Sequence, residues 1–407
     1  MGSVNIDNTG SGADVTLSSD GTDLLLDGTA VGGSPDLFAD NDVSATAPTA
    51  SGDNSVAIGN DAQATSTNSI AIGSTYNGSG ARATTGTGAI AIGGSRATGT
   101  ESFAAMIGSN SSSGAQGTSS VAIGFGANAT NTSSHAIGSN TTSTGYGSLA
   151  IGREAYSIAD RSTAITNSYA SGASSFAAAI ANNTSSYGAT GANSVAMGQQ
   201  SKATGDDAVA IGENSIASAT SSSVLGGTAN TASGIKSACI GGSSNSATQI
   251  FSYATGSNAK SEVTGKWTHS SGIFSTSGDA QRGWQIERTE TSGFDIQSFT
   301  TNGSSESSSN QIKVPTDAAV AFRGMIVAKE EGTSDCAAWI VEGLAVNNGG
   351  TTTLVNSATT TINNAPSWGL ATQIDDGNDV VQFLAVGATS HDIRWVAAID
   401  TVEVTAT

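Results

Sequence analysis

The sequence predicts an all-β protein: a roll of stacked fourteen-residue coils, followed by a C-terminal antiparallel β-sandwich of jelly-roll-like type. Three observations carry this expectation. A five-residue frame recurs at intervals of fourteen through the middle of the chain, and all five Trp lie beyond it. No segment offers the sustained i, i+3, i+4, i+7 apolar stripe of a helical protein. The expected order is an N-terminal β arm over 1–33, a linker over 34–53, the roll over 54–264 and the sandwich over 265–407.

Composition narrows the class first. The chain has 407 residues, 52 of them Gly and 4 Pro, and only 12% are charged, about half the usual share. Disorder is disfavoured, because Val, Ile and Ala return in ordered pairs, whereas disordered chains have few apolar residues and high net charge. Collagen is excluded by the scarcity of Pro and the lack of a three-residue Gly period. The net charge of −19 divides as −9 over 1–54, −1 over 55–264 and −9 over 265–407. No block offers the basic stripe of a nucleic-acid binder. Cys239 and Cys336 give neither metal spacing nor a disulfide framework. The N-terminus lacks the basic and apolar regions of a signal peptide, and no apolar run is long enough to span a membrane as a helix.

The arm reads as three short strands at 4–6, 15–17 and 24–26, with Asp20-Gly21 and Asp27-Gly28 as turn dipeptides. It is too small for a core of its own. It is expected either to cap the roll or to dock on a larger assembly by strand addition. Pro35 and Pro48 mark the linker.

The roll rests on the frame Ser55-Val56-Ala57-Ile58-Gly59, which returns fourteen residues on as Ser69-Ile70-Ala71-Ile72-Gly73. It recurs at 120–124, 134–138 and 148–152, and again at 194–198 and 208–212, with degenerate copies elsewhere making about fourteen coils. In a strand, successive side chains alternate between faces, so Val and Ile share one face while Ser, Ala and Gly share the other. A fourteen-residue coil holds two short strands and two turns, leaving an interior only Ser, Ala and Gly can fill. The Val/Ile stripe then points outward. It comprises Val56, Ile58, Ile70, Ile72, Val121, Ile123, Ile137, Leu149, Ile151, Val195, Val209 and Ile211. Burying each such side chain fully is worth roughly 1.5–3 kcal/mol, and a monomer would expose an outsized apolar patch. The roll is therefore expected to be an obligate oligomer with this stripe as its interface. His135 replaces Val in Ser134-His135-Ala136-Ile137-Gly138, which makes it the candidate for an ion site on the oligomer axis. Cys239 takes the Ala slot and reads as an inward filler.

The frame resembles the head repeat of trimeric autotransporter adhesins, the YadA-like head. The resemblance covers residues 54 to about 260 and implies a left-handed parallel β-roll, a homotrimer, and the Val/Ile stripe at the threefold interface. With strands ~4.8 Å apart, fourteen coils would give a rod roughly 65 Å long. The signal peptide, heptad stalk and membrane-anchoring segment of a surface adhesin are not recognised, which shifts the expectation to a virion component assembled in the host cytoplasm. The segment from Asn5 to Gly28, with Leu37-Phe38-Ala39 after it, resembles leader segments of marine phage structural proteins.

Beyond the roll, strands are expected at 284–288, 320–328, 338–346, 380–386 and 393–405, the pattern of a sandwich. Glycan hydrolysis would need two carboxylates in a groove. Asp206-Asp207 are adjacent, and Asp375, Asp376 and Asp379 fall in a turn, where Asp is favoured for backbone reasons. Trp368, after Pro366, is expected on a surface loop as a receptor contact. The functional expectation is a non-enzymatic trimeric phage fibre or appendage without a cofactor. Its partners would be other virion proteins through the arm, and a host-surface glycan or protein. A capsid decoration protein and a bacterial adhesin head are the alternatives.

Overall fold

The computed structural model describes residues 46–74, 80–108, 113–181, 184–364 and 368–406, together with the backbone of four short strands nearer the N-terminus. The described residues form strands and turns and no helix. They fall into two compact units, 1–160 and 161–407.

In the first unit, Val4–Ile6, Val15–Ser19, Leu24–Leu26 and Thr29–Ala30 make an antiparallel meander, one strand more than the arm was expected to hold. Pro35 and the rest of 34–45 lie outside the described residues. Thr49–Ala50 already pairs in parallel with Gln63–Ala64, so the roll starts inside the stretch read as linker. From there three-residue strands alternate with two-residue strands. Val121, His135 and Leu149 stand in register, as do Ala122, Ala136 and Ala150.

Each slot of the frame has a physical reason. The central Ala of each three-residue strand is fully buried, and so is the preceding Ser at positions such as 69, 120, 134 and 148. At some of these positions the hydroxyl closes a turn, whereas that of Ser120 is buried without a partner. Ser134 Oγ donates to the Asn131 carbonyl at 2.7 Å and Ser148 Oγ to the Gly145 carbonyl at 2.7 Å, which satisfies groups that burial would otherwise leave unpaired. The closing Gly is required by backbone conformation and by contact. Gly138 has φ +130°, and a Cβ there would sit 1.9 Å from the Gly152 carbonyl oxygen of the next coil.

The second unit continues the same pattern from Thr163–Ile165 to Lys260–Ser261. Its later coils lengthen. Ser223 pairs with Ala238 and Ala238 with Tyr253, a spacing of fifteen that coincides with the doubled glycines Gly226-Gly227 and Gly241-Gly242. Trp267–Ser271 then pairs in parallel with Tyr253–Ser257 on one side and antiparallel with Ala280–Ser292 on the other. It is the last strand of the roll and the first of the sandwich.

The larger sheet runs Trp267–Ser271, Ala280–Ser292, Asp392–Thr405, Ala318–Glu330, Cys336–Asn348 and Thr351–Asn364, all antiparallel. The smaller centres on Val380–Val386, flanked by Gly369–Asp375 and by Ile296–Ser298 with Ile312–Lys313. Their facing sides share one core. Trp395 lies at its centre, stacked on Trp339 with ring centroids 5.5 Å apart and edge-on to Phe299 at 6.3 Å.

Candidate interaction surface

The alternation that buries Ala leaves its neighbours partly in solvent. In the first unit Val56, Ile58, Ile70, Val121, Ile123, Ile137 and Leu149 are half-buried, while Ile72 and Ile151 are exposed. Val195, Val209 and Ile211 in the second unit are half-buried, and Leu225 and Ile240 farther along the same column are exposed. All twelve residues singled out in the sequence therefore stand on one outward stripe within their own unit. His135 occupies that stripe between Val121 and Leu149. Apart from His135 and Thr163, the side chains on these columns are largely apolar.

The longer coils hold a polar ladder that sequence reasoning missed. Asn230 and Asn245 are buried. Asn230 Nδ2 donates to the carbonyls of Gly226 and Gly242 at 3.0 and 3.2 Å. Its Oδ1 accepts the Asn245 amide at 2.9 Å, and Asn245 Oδ1 in turn accepts the Ala259 amide at 2.9 Å. The signal was present as Gly-Gly-x-x-Asn, which occurs at both 226–230 and 241–245.

The sequence profile of the YadA head domain repeat (2 copies) matches residues 50–75, 115–141, 143–165, 189–215 and 203–229. The coils over these residues are YadA head domain repeats. No curated protein matches the chain. Among solved structures, it is similar to the tailspike protein gp49 of Acinetobacter baumannii bacteriophage Fri1, a capsular polysaccharide depolymerase, at 8% identity and a TM-score of 0.21. That match covers 86% of this chain and 69% of the tailspike. The tailspike protein of Acinetobacter phage vB_ApiP_P1 matches at 10% identity and a TM-score of 0.19, over 86% of this chain and 76% of its own.

The acidic residues weighed for hydrolysis are engaged in local structure. Asp206 Oδ1 accepts the Ala192 amide and Asp207 Oδ1 accepts Asn193 Nδ2, both at 3.0 Å. Asp375 accepts Asn378, Asp376 the Thr352 amide, and Asp379 both Asn347 and Thr352. Trp368 corrects the expectation of a surface loop contact. It is 2% exposed, its ring is 5.9 Å from that of Trp395, and Asn364 grips its backbone from both sides at 2.8 Å. A ring so buried has no face for a receptor. Cys239 is buried inside its coil, where desolvation pushes the thiol up to about 11; Cys336 is exposed. Among the described residues, no group of His, Cys, Asp and Glu is arranged to hold a metal ion.

The open features of the sandwich include two hollows with charged or aromatic walls. A cleft of about 560 Å³ is lined by Arg288, Glu290, Gln297, Ser298, Glu306 and Arg394. Glu290 is engaged by Arg394 at 3.1 Å. The Ser298 hydroxyl donates to Glu306 at 2.7 Å and holds its carboxyl below the usual range. A second hollow of about 360 Å³ lies between Trp267 and Trp284, with His269, Arg282 and Asp400 around it.

Proposed function

We propose that the protein is a non-enzymatic, homotrimeric virion structural protein, a phage fibre or appendage. Its YadA head repeats form a rigid spacer, its arm docks on other virion proteins, and its sandwich is turned toward the host surface. The observation that supports this reading is the outward Val/Ile stripe beside a fully buried Ala column. Most side chains of the stripe are already half-buried, so covering each gains only part of the roughly 1.5–3 kcal/mol of full burial, but summed along the stripe that gain favours association over a free chain. Three is the number the YadA head repeat implies. The virion setting draws its support from the leader-like segment between Asn5 and Gly28.

Two carboxylates of the sandwich do not suit the acid of a glycosidase. A glycosidic acid must hold its proton near neutral pH and meet the substrate. Glu306, in the open cleft, is held ionised. Glu287, whose carboxyl desolvation pushes up to about 8, is wholly buried and meets no solvent.

Light scattering on the purified chain tests the assembly. The expected mass is three times 39.9 kDa, and a monomer overturns the reading. Val121→Asp with Ile123→Asp is expected to dissociate or unfold the trimer; unchanged assembly would place the interface elsewhere. Gold-labelled antibody to the sandwich should mark tail fibres or appendages on virions. Label on capsids instead would assign a decoration role, and virions without label would overturn the virion assignment.

A further inference from the structure

We propose that the outer face of the larger C-terminal sheet is a second docking surface for copies of this chain, continuous with the apolar stripe of the roll. The sandwiches would then associate about the same axis as the coils. The inference rests on the homotrimer reading above and extends it to a part of the chain outside the YadA head repeats.

Strand register carries the argument. Side chains at paired positions of neighbouring strands lie on the same face. The column that begins with Val195 and Val209 continues through Ser223, Ala238 and Tyr253. It then passes to Trp267 and, across the junction, to Trp284. The neighbouring column from Ile211 and Leu225 through Ile240 passes Thr255, His269 and Arg282 before it reaches Val402. The face that bears the stripe in the second unit's coils is thus the outward face of the sheet that follows them.

That face has the wrong character for water. An antiparallel sheet with one side on a core normally turns polar residues outward. Here the core side holds Trp395 and Ile399, while the opposite side holds Ile286, Met325, Val327, Val396 and Val402. Ile286, Ala398, Met325 and Ile340 stand in one row across four strands. Met325 is 51% exposed and Val402 63%. A contiguous patch of this kind marks an interaction site.

The charges on the face suit an identical partner. Arg282 meets Asp400 at 2.7 Å and Arg323 meets Glu342 at 3.9 Å, so the ions there neutralise one another within the chain. Charges paired in this way within the chain weaken the repulsion between identical copies. The hollow between Trp267 and Trp284 has the chemistry of a sugar seat, but its indoles stand in the column that the coils devote to association.

The five tryptophans provide the test. Trp339, Trp368 and Trp395 are buried within the chain, whereas Trp267 is 53% exposed and Trp284 42%. Acrylamide quenching of the native full-length protein should find no accessible tryptophan if the sheet face is covered. An oligomer of the expected mass in which two of the five tryptophans quench freely would overturn this inference and leave the roll assembly standing. A monomer would overturn both. Met325→Glu, an exposed substitution, is expected to return Trp267 and Trp284 to the quencher while the mass stays unchanged. Continued protection in that variant would also count against the covered face.

Discussion

Lys266 and Glu403 form a buried ion pair that ties the last turn of the roll to the last strand of the chain. Both side chains are 4% exposed, and Gln281 Nε2 and Thr401 Oγ1 complete the carboxylate's partners at 2.8 and 2.5 Å. Removing one member of such a pair strands a charge without solvent and typically costs about 3–5 kcal/mol. Glu403→Gln is therefore expected to destabilise the protein by that amount in chemical denaturation. Lys266→Met together with Glu403→Gln should lose less than Glu403→Gln alone, because no ammonium is left unpaired. Desolvation works to raise the Glu403 carboxyl, yet the Lys266 ammonium and the three hydrogen bonds hold it below its usual value. Its stabilisation is therefore complete above pH 4.5, the ordinary value, and lost as the pH falls through the lowered one.

Glu287 predicts the opposite pH dependence over a higher range. Desolvation pushes its carboxyl from 4.5 up to about 8, only partly offset by a hydrogen bond from Gln285. Between those values the folded protein holds a proton that the unfolded chain has released. Stability therefore falls with rising pH, by up to about 1.4 kcal/mol per unit from this group. Glu287→Gln removes the titration. Its melting temperature should exceed that of the native protein at about pH 8, and the difference should shrink toward about pH 5. Parallel melting curves across that range would contradict the assignment.

The roll was legible because one physical constraint repeats. Every coil must fit the same narrow interior and stack at the same rise, so Ala57, Ala122 and Ala196 report the same slot. The longer coils at 223–243 departed from the period where Gly226-Gly227 and Gly241-Gly242 insert a residue. The sandwich was legible where a strand alternates, as at Ala318–Glu330, whose burial switches at nearly every position. Thr351–Asn364 escaped notice for the converse reason. It is the outermost strand of its sheet, and most of its residues are exposed on both faces, so its run of Thr and Asn shows no period of two. Trp368 misled because Pro366 reads as a turn signal in the sequence, whereas burial of the ring is decided by Trp395, far away in sequence. The Lys266–Glu403 pair spans 137 positions, and no local pattern announces it.

The asparagine ladder makes a prediction specific to the lengthened coils. Asn245 donates through Nδ2 to the carbonyls of Gly241 and Gly256 at 3.1 and 2.7 Å while its Oδ1 accepts the Ala259 amide. Truncation to Ala leaves several buried backbone groups without partners, each worth about 1–3 kcal/mol if unsatisfied. Asn245→Ala should lower the melting temperature, and hydrogen exchange should rise at the Ala259 amide in particular. Asn245→Asp keeps the acceptor but loses the donor, so Ala259 should stay protected while stability still falls. Equal exchange at Ala259 in both variants would argue against the ladder.

The closing Gly of the frame can be tested against the one coil of the clear repeat series that lacks it. Gly138 adopts φ +130°, outside the left-handed region that other residues enter at modest cost, and faces the Gly152 carbonyl of the next coil. Residues forced into such conformations cost about 1–3 kcal/mol, and the close approach adds to this. At the corresponding position in the coil 162–166 stands Thr166, with φ +41°, near the left-handed region that a non-Gly residue can occupy. That coil has adapted its backbone to a side chain, as have the degenerate coils that close on Met106 and Ala179 at φ +57° and +55°; the coil that closes on Gly138 has not. Gly138→Ala is therefore expected to destabilise by at least ~2 kcal/mol, whereas Thr166→Gly should change stability by less than about 1 kcal/mol. Denaturation midpoints of the two variants measure the contrast. Similar losses for both would mean that the turn is fixed by its neighbours in the stack rather than by the conformational freedom of Gly138.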